Sequence, residues 1–537
     1  MPNEPILHSL FVHSDDCALR LTVSESISIR NALDLTDLRV RAACGGMGSC
    51  GACLIKITEG DFNSPTLAER QKLLPEDLHA GLRLSCQLHA HSHGSLFLEQ
   101  PAPKSQWKSI DLTSFNRSFE GDTAIDQFPY GIAVDLGTTH IRLSLWNRQT
   151  GRHIANRLGI NPQVAYGADI LTRLDANRLN STDNQRLCQE ARKAIVDGVR
   201  DILSRDMGEI APLLKQVGKV LIVGNTVMLS LVCGEDTNPL YELENWHKSV
   251  ACQPQDHESW RRAWRMPNAE IEIVQPLAGF VGSDLLADLL ATQLTQQPVP
   301  KLLVDLGTNT EIAVWDGSTV WVTSVPGGPA FEGVGMRNGL TSETGAIYKV
   351  KKPADAWQIL TIGNSAVRGF CASGFIDAIA LLLQEHQLKP SGRFAQPQTE
   401  QGYRLQADTR LSAIYASDID IFQRAKASTA AAMAQLLSLA ELEFSDLSEF
   451  WICGSLGQHI DLNSAIAVGL FPVMALEKVR RMSHASLMGC EQLLLTGQAD
   501  SQLADIVKSA KLINLGAVDQ YEQFFIENLR LQPMMPR

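Results

Sequence analysis

Nothing in this sequence approaches the run of ~20 apolar residues that a membrane-spanning helix requires. The opening Met-Pro-Asn-Glu-Pro-Ile-Leu also lacks the basic head and apolar stretch of a secretory signal. A cytoplasmic protein without a membrane span is therefore expected. Positive charge is in deficit. With 47 Lys and Arg against 59 Asp and Glu, the net charge is −12, and no basic stripe interrupts it, which argues against a nucleic-acid surface. Without export, the eleven cysteines face a reducing compartment, so disulfides are not expected. What remains is an ordinary globular composition, 45% hydrophobic and 20% charged, over 537 residues, with room for three or four domains.

The cysteines are not evenly spread. Cys44, Cys50 and Cys53 fall within the run Cys44-Gly-Gly-Met-Gly-Ser-Cys50-Gly-Ala-Cys53, and Cys86 follows. Thiols separated by glycines are poor core material and good cluster ligands, because a cluster's sulfides accept hydrogen bonds from a backbone that glycine lets wrap closely. The spacing C-x5-C-x2-C-x32-C is one residue longer in its first gap than the plant-type pattern. A zinc ribbon would pair two C-x2-C hooks, and only one is present. The expectation is a [2Fe–2S] cluster held by Cys44, Cys50, Cys53 and Cys86. The other seven cysteines are scattered, most of them in apolar segments.

Along the chain, Leu10–His13, Ala18–Val23, Leu54–Thr58 and Ser95–Glu99 have the composition of short strands, and Thr66–Leu78 has helical character. These define an expected domain over residues 1–99. A segment over 100–128 reads as a linker, although Trp107, Phe115 and Phe119 are suited to packing on a neighbour. Two long helices are expected. One runs Asn184–Ser204. The other runs Asp418–Leu439, with Ser417 as N-cap and Asp420 as its capping partner.

The rest of the chain is duplicated. Tyr130-Gly-Ile-Ala-Val-Asp135-Leu-Gly-Thr-Thr139 returns as Lys301-Leu-Leu-Val-Asp305-Leu-Gly-Thr-Asn309, each followed by a second apolar strand. A further strand runs into a glycine turn in each copy, at Gly224 and at Gly454-Ser-Leu-Gly457. The expected lobes are residues 129–299 and 300–537. A strand–turn–strand hairpin of this kind suits phosphates: glycine N–H groups and threonine hydroxyls donate to phosphate oxygens, and the aspartate faces Mg²⁺. Facing hairpins would bind ATP with Mg²⁺ through Asp135, Gly137, Thr138, Thr139, Asp305, Gly307, Thr308 and Asn309. Gly454 and Gly457 would border the adenosine. Gly374, expected just before the apolar helix Phe375–Leu383, is a further candidate for phosphate or ribose. No catalytic residue stands out.

Over residues 130 to about 530 this pattern resembles the superfamily of acetate kinases, sugar kinases, heat-shock chaperones and actin. Together with the cysteine run, and with Asn161-Pro-Gln-Val-Ala-Tyr, Leu277-Ala-Gly-Phe-Val-Gly-Ser-Asp284 and Gly328-Pro-Ala-Phe-Glu-Gly333, the chain resembles the reductive activators of corrinoid-dependent proteins. It departs from that pattern at Met336, where a cysteine is expected, and at Ser455, which interrupts a glycine pair. The resemblance implies a multidomain α/β protein: a β-grasp-like [2Fe–2S] ferredoxin domain, then a duplicated, two-lobed, ribonuclease-H-like ATPase body. It implies an enzyme that uses ATP in passing one electron to the Co(II) corrinoid of a methyl-transfer protein, restoring Co(I). The partners implied are that protein and a low-potential electron donor; a homodimer is compatible. The alternatives are a redox-sensing kinase of the same superfamily and a non-catalytic ferredoxin docking module.

Overall fold

A computed structural model of the chain describes residues 6–14, 17–34, 36, 38, 40, 48, 51, 53–98, 107–110, 119–122, 127–166, 170–179, 181–242, 245–333, 335–353, 356–396, 402–407 and 409–534. The N-terminal sheet contains β1 (Leu7–His13), β2 (Ala18–Ser24), β3 (Leu54–Glu59), β4 (Leu82–Leu84) and β5 (Gly94–Phe97), ordered β2-β1-β5-β3-β4. β1 runs parallel to β5 at its centre, and the other pairings are antiparallel, which is the β-grasp arrangement. Alternation along β1 sends Leu10 and Val12 inward, where they meet Ile55, Leu84 and Leu96. The three-residue β4 is too short to show alternation in the sequence. The expected helical stretch Thr66–Leu78 is two helices, Leu67–Lys72 and Pro75–His79, broken ahead of Pro75. Thr66 and Glu69 form a capping box, and Glu69, fully buried, also takes Arg83 Nε at 2.8 Å and the Leu84 N–H at 3.0 Å. This fixes the helix against β4, two residues from Cys86.

The duplication appears as two sheets of matching order. β6 (Tyr130–Leu136), β7 (His140–Asn147) and β8 (Arg152–Ile160) form an antiparallel series. β9 (Val217–Gly224) lies parallel to β6 on its other side, and β10 (Glu270–Ile273) parallel to β9. The second sheet repeats this with β11 (Lys301–Leu306), β12 (Thr310–Trp315) and β13 (Val320–Val325), then strands Glu449–Cys453 and Val479–Met482 in the places of β9 and β10. Helix Ser181–Ile202 packs on β7 and β8, and helix Ala416–Leu439 packs likewise on β12 and β13. The second helix starts earlier than its sequence suggests. Tyr415 is the N-cap, and its N–H donates to Asp418 Oδ2 at 3.2 Å, because the turn that precedes it already aligns Asp418 with the helix start.

The lobes share a core. Helices Ser283–Ala291 and Ala485–Leu495 pack on each other between the sheets, joining Ala133, Leu221 and Val223 to Leu303, Ala313 and Cys453. Part of the segment expected as a linker is also anchored. Lys108 bridges to Leu158, and the Trp107 ring covers Gly159 and Gly198 so closely that a Cβ on Gly159 would lie 2.6 Å from it. Phe119 meets Trp146 edge-on at 5.3 Å between centroids, while Phe115 lies outside the described residues.

Candidate functional sites: a thiol pair and two facing hairpins

The register Leu54↔Leu84 between β3 and β4 carries Cys53 and Cys86 to the same end of the sheet. Both are buried, and the Ser85 N–H donates to the Cys53 carbonyl at 2.8 Å. A hydrogen bond from the Cys86 thiol holds Cys53 well below the usual thiol range, and the Arg30 charge adds to that effect. Gly48 and Gly51, at φ +75° and +71°, take the left-handed backbone that favours glycine. A Cβ on Gly48 would come within 2.9 Å of Ala68 Cβ, so the cysteine loop and helix Leu67–Lys72 leave no room for a side chain there. Paired buried sulfur donors under a close-wrapped glycine backbone fit a [2Fe–2S] cluster. Cys44 and Cys50 lie outside the described residues.

In the body, the β6–β7 and β11–β12 hairpins meet tip to tip. Thr139 Oγ1 and Thr308 Oγ1 are 2.8 Å apart, and both hydroxyls donate to Glu332, at 3.2 Å and 3.1 Å. The glycine N–H groups do not face the gap as the sequence suggested. Gly137 donates to the His140 carbonyl and Gly307 to the Asn309 carbonyl, both at 3.0 Å, because these bonds close the hairpins themselves. The threonine hydroxyls are therefore the donors that meet across the gap, and Thr138 is buried beside them. Asn161 braces the first tip, its side chain donating to the Gly137 carbonyl at 2.9 Å and its N–H to that of Thr139, also at 2.9 Å.

Behind the tips lies an excess of negative charge. Asp135 pairs with Arg142 at 2.8 Å, as their opposed positions on β6 and β7 require. Asp135, Asp288 and Glu311 are buried, while Asp284 and Asp305 are partly exposed. Burial raises all five carboxyls. Asp284 is pushed up to about 7, with the charges of Asp135 and Asp305 adding to the effect. Asp305 Oδ1 is buried without a hydrogen-bond partner. Five carboxyls with a single arginine pair and two such orphaned oxygens, Asp305 Oδ1 and Asp288 Oδ2, suit a divalent cation. Among the described residues no group of three or more His, Cys, Asp or Glu could by itself hold a metal ion.

The remaining candidates are accounted for by packing. Gly454, at φ +81°, presses on Asp305: a Cβ would lie 2.5 Å from its Oδ1. Gly457, in helix Gly454–His459, faces Ile452 of the strand before it instead. Gly374 and Ser373 lie within the first turn of helix Ala372–Gln384, not before it, and Gly374 lets that turn approach the Ile347 carbonyl. Asp284, Asp288, Glu311, Glu332 and Arg142 were not singled out from the sequence. A usable signal was present: two aspartates one turn apart in the otherwise apolar helix Ser283–Ala291.

Three family models match successive parts of the chain. Residues 15–91 match a 2Fe-2S iron-sulfur cluster binding domain, residues 130–297 the RACo middle region, and residues 300–536 the C-terminal domain of RACo, the ASKHA domain. The chain is 26% identical over 425 residues to the corrinoid activation enzyme RamQ of Eubacterium limosum, covering 74% of this chain and 70% of that one. It is 24% identical over 418 residues to the Co(II) methylated amine-specific corrinoid protein reductase of Methanosarcina barkeri, covering 72% and 73%. The solved structure of a reductive activator for a corrinoid, iron-sulfur protein shares the fold, with a TM-score of 0.64 at 20% identity over 98% of both chains. Among the described residues, no helix is long and apolar enough to cross a membrane. A 2Fe-2S cluster binding domain, the RACo middle region and the RACo ASKHA domain thus follow one another along this chain, which belongs to the reductive activators of corrinoid-dependent proteins.

Proposed function

We propose that this protein returns an oxidised Co(II) corrinoid on a methyl-transfer partner to Co(I), one electron at a time, in an ATP-dependent cycle. The observation that carries the reading is the joining, on one chain, of the adjacent buried thiols Cys53 and Cys86 to hairpins that meet through Thr139 and Thr308. The cluster, bound by Cys44, Cys50, Cys53 and Cys86, supplies a one-electron carrier. Two of these ligands, Cys53 and Cys86, sit at the end of a sheet anchored by Glu69 and Arg83, which limits the rearrangement that accompanies electron transfer.

ATP with Mg²⁺ takes the gap between the hairpins in this reading. Thr138, Thr139, Thr308 and Asn309 face its phosphates, and Asp135 and Asp305 face the metal. Thr139 and Thr308 exchange their bonds to Glu332 for bonds to phosphate oxygens. A cation held there would favour the ionised form of Asp284, whose carboxyl burial pushes up to about 7. Domain limits at 1–99, 100–128, 129–299 and 300–537, a cytoplasmic location and a separate low-potential electron donor belong to the same reading.

The test is anaerobic reduction of a purified Co(II) corrinoid protein by the pre-reduced protein, with and without ATP, followed at the Co(I) absorption band. Formation of Co(I) that ATP increases, and that a Cys50→Ser variant lacks, is the expected result. If no corrinoid protein is reduced while a small metabolite becomes phosphorylated, a kinase replaces this reading.

A further inference from the structure

Glu332 directly follows the short helix Gly328–Phe331, and its backbone is held on both sides. Phe331 before it is 4% exposed in the core of the second lobe and meets Phe422 edge-on at 6.1 Å between centroids. Gly333 after it takes φ +82°, and a Cβ there would lie 2.5 Å from the Leu340 nitrogen, so the turn leaves no room for a side chain. Between these two fixed points the carboxylate rests on the tip hydroxyls of Thr139 and Thr308, at 3.1 to 3.3 Å. Burial raises its carboxyl above the ordinary value, and the two hydroxyls and the charges of Arg173 and Arg142 pull the other way. The acids of the hairpin strands are placed differently: Asp135 is tied to Arg142, and Asp305 is pressed by Gly454.

Water attack on a γ-phosphate passes through a loose transition state, so the protein's part is to aim the nucleophile and to accept its proton. A carboxylate one hydrogen bond from both hydroxyls lies about one water molecule from a phosphorus whose oxygens those hydroxyls hold. Two anions so placed repel unless a proton donor separates them. A water between them donates to the carboxylate while its lone pair faces the phosphorus. A carboxyl raised by burial also takes a proton more readily than an ordinary one.

We propose that Glu332 is a catalytic residue of ATP hydrolysis in this protein, the base that holds the attacking water once Thr139 and Thr308 have turned to the phosphate oxygens. The same exchange that gives the hydroxyls to the nucleotide frees the carboxylate for the water. The water oxygen bonds to the γ-phosphorus, the bond from phosphorus to the β,γ-bridging oxygen breaks, and ADP leaves with that electron pair. The water's proton passes to Glu332 and from there to solvent. The inference rests on the nucleotide reading above and adds to it the fate of the bound ATP.

The test measures phosphate release at saturating ATP, and Mg-ATP affinity by calorimetry, on the full-length protein. Glu332→Gln keeps an acceptor oxygen for both hydroxyls and the size of the side chain, but it cannot take the proton. It is expected to lower kcat about 100-fold or more while Kd stays within about twofold of wild type. Glu332→Ala should lose hydrolysis to a similar degree, and added formate, a small carboxylate, should restore part of the rate in Glu332→Ala but not in Glu332→Gln. A wild-type rate in Glu332→Gln, a loss that lies wholly in Kd, or wild-type protein that binds Mg-ATP without releasing phosphate overturns the proposal and leaves the nucleotide reading standing. Wild-type protein that binds no Mg-ATP rejects that reading and the proposal with it, so the two failures are distinct.

Discussion

Single residues divide by whether their chemistry is local. The cysteines are legible because ligand spacing is a property of the sequence, and Asp135 and Asp305 because each sits in a recognisable turn. Glu332 and Glu311 are not, because each is a lone polar residue until the lobes converge on it. Asp284 makes that convergence measurable. Its carboxyl is pushed up to about 7 by burial and by Asp135 and Asp305, from an ordinary 3.8. A carboxyl whose folded value lies above its unfolded one supports the fold fully below about pH 4, and that support is lost as pH rises through 7. Asp284→Asn should therefore melt above wild type at pH 8 in the nucleotide-free protein, by on the order of 1–2 kcal/mol, with the gap closing toward pH 4. Differential scanning calorimetry across that range checks it; a gap independent of pH would show that Asp284 is not the group titrating. The same variant should bind Mg-ATP more weakly.

Elements were legible in proportion to their length. The strands β1, β2, β3 and β5 and both long helices follow from alternation and helical spacing, whereas the three residues of β4 carry no period, and the break at Pro75 depends on where the chain must turn to meet β4. The tether shows a different limit. Its polar composition suggested a linker with Trp107 suited to packing on a neighbour, and Trp107 does rest against Gly159 and Gly198, two glycines on separate elements whose common role appears only in three dimensions. The segment between Gln100 and Phe128 is thus anchored to the first lobe at Trp107. Trp107→Ala should remove that anchor and lower the effective concentration of the cluster domain at a docked partner. Cobalt reduction is expected to slow several-fold while the cluster spectrum and nucleotide affinity stay as in wild type. Unchanged kinetics would mean that the anchoring of this strand does not govern delivery.

For the whole molecule, the repeat of Asp-Leu-Gly-Thr foretold two sheets of matching order, and the cysteine run foretold a separate domain. What the repeat could not convey is that the lobes share one core through helices Ser283–Ala291 and Ala485–Leu495, or that their hairpins touch. If ATP takes the gap between the hairpins, as proposed, the contact of Thr139, Thr308 and Glu332 makes it a wedge that enters only when the tips have parted. Its apparent dissociation constant is then the intrinsic one divided by the parted fraction, so a fraction of about one in ten weakens binding about tenfold. In stopped-flow mixing, the observed binding rate should level off at high ATP, at the rate of parting, and Glu332→Ala should raise that plateau. A rate that climbs linearly with ATP would mean the tips stand open in solution. With a plateau, the time between successive electrons has a floor that no excess of fuel can lower.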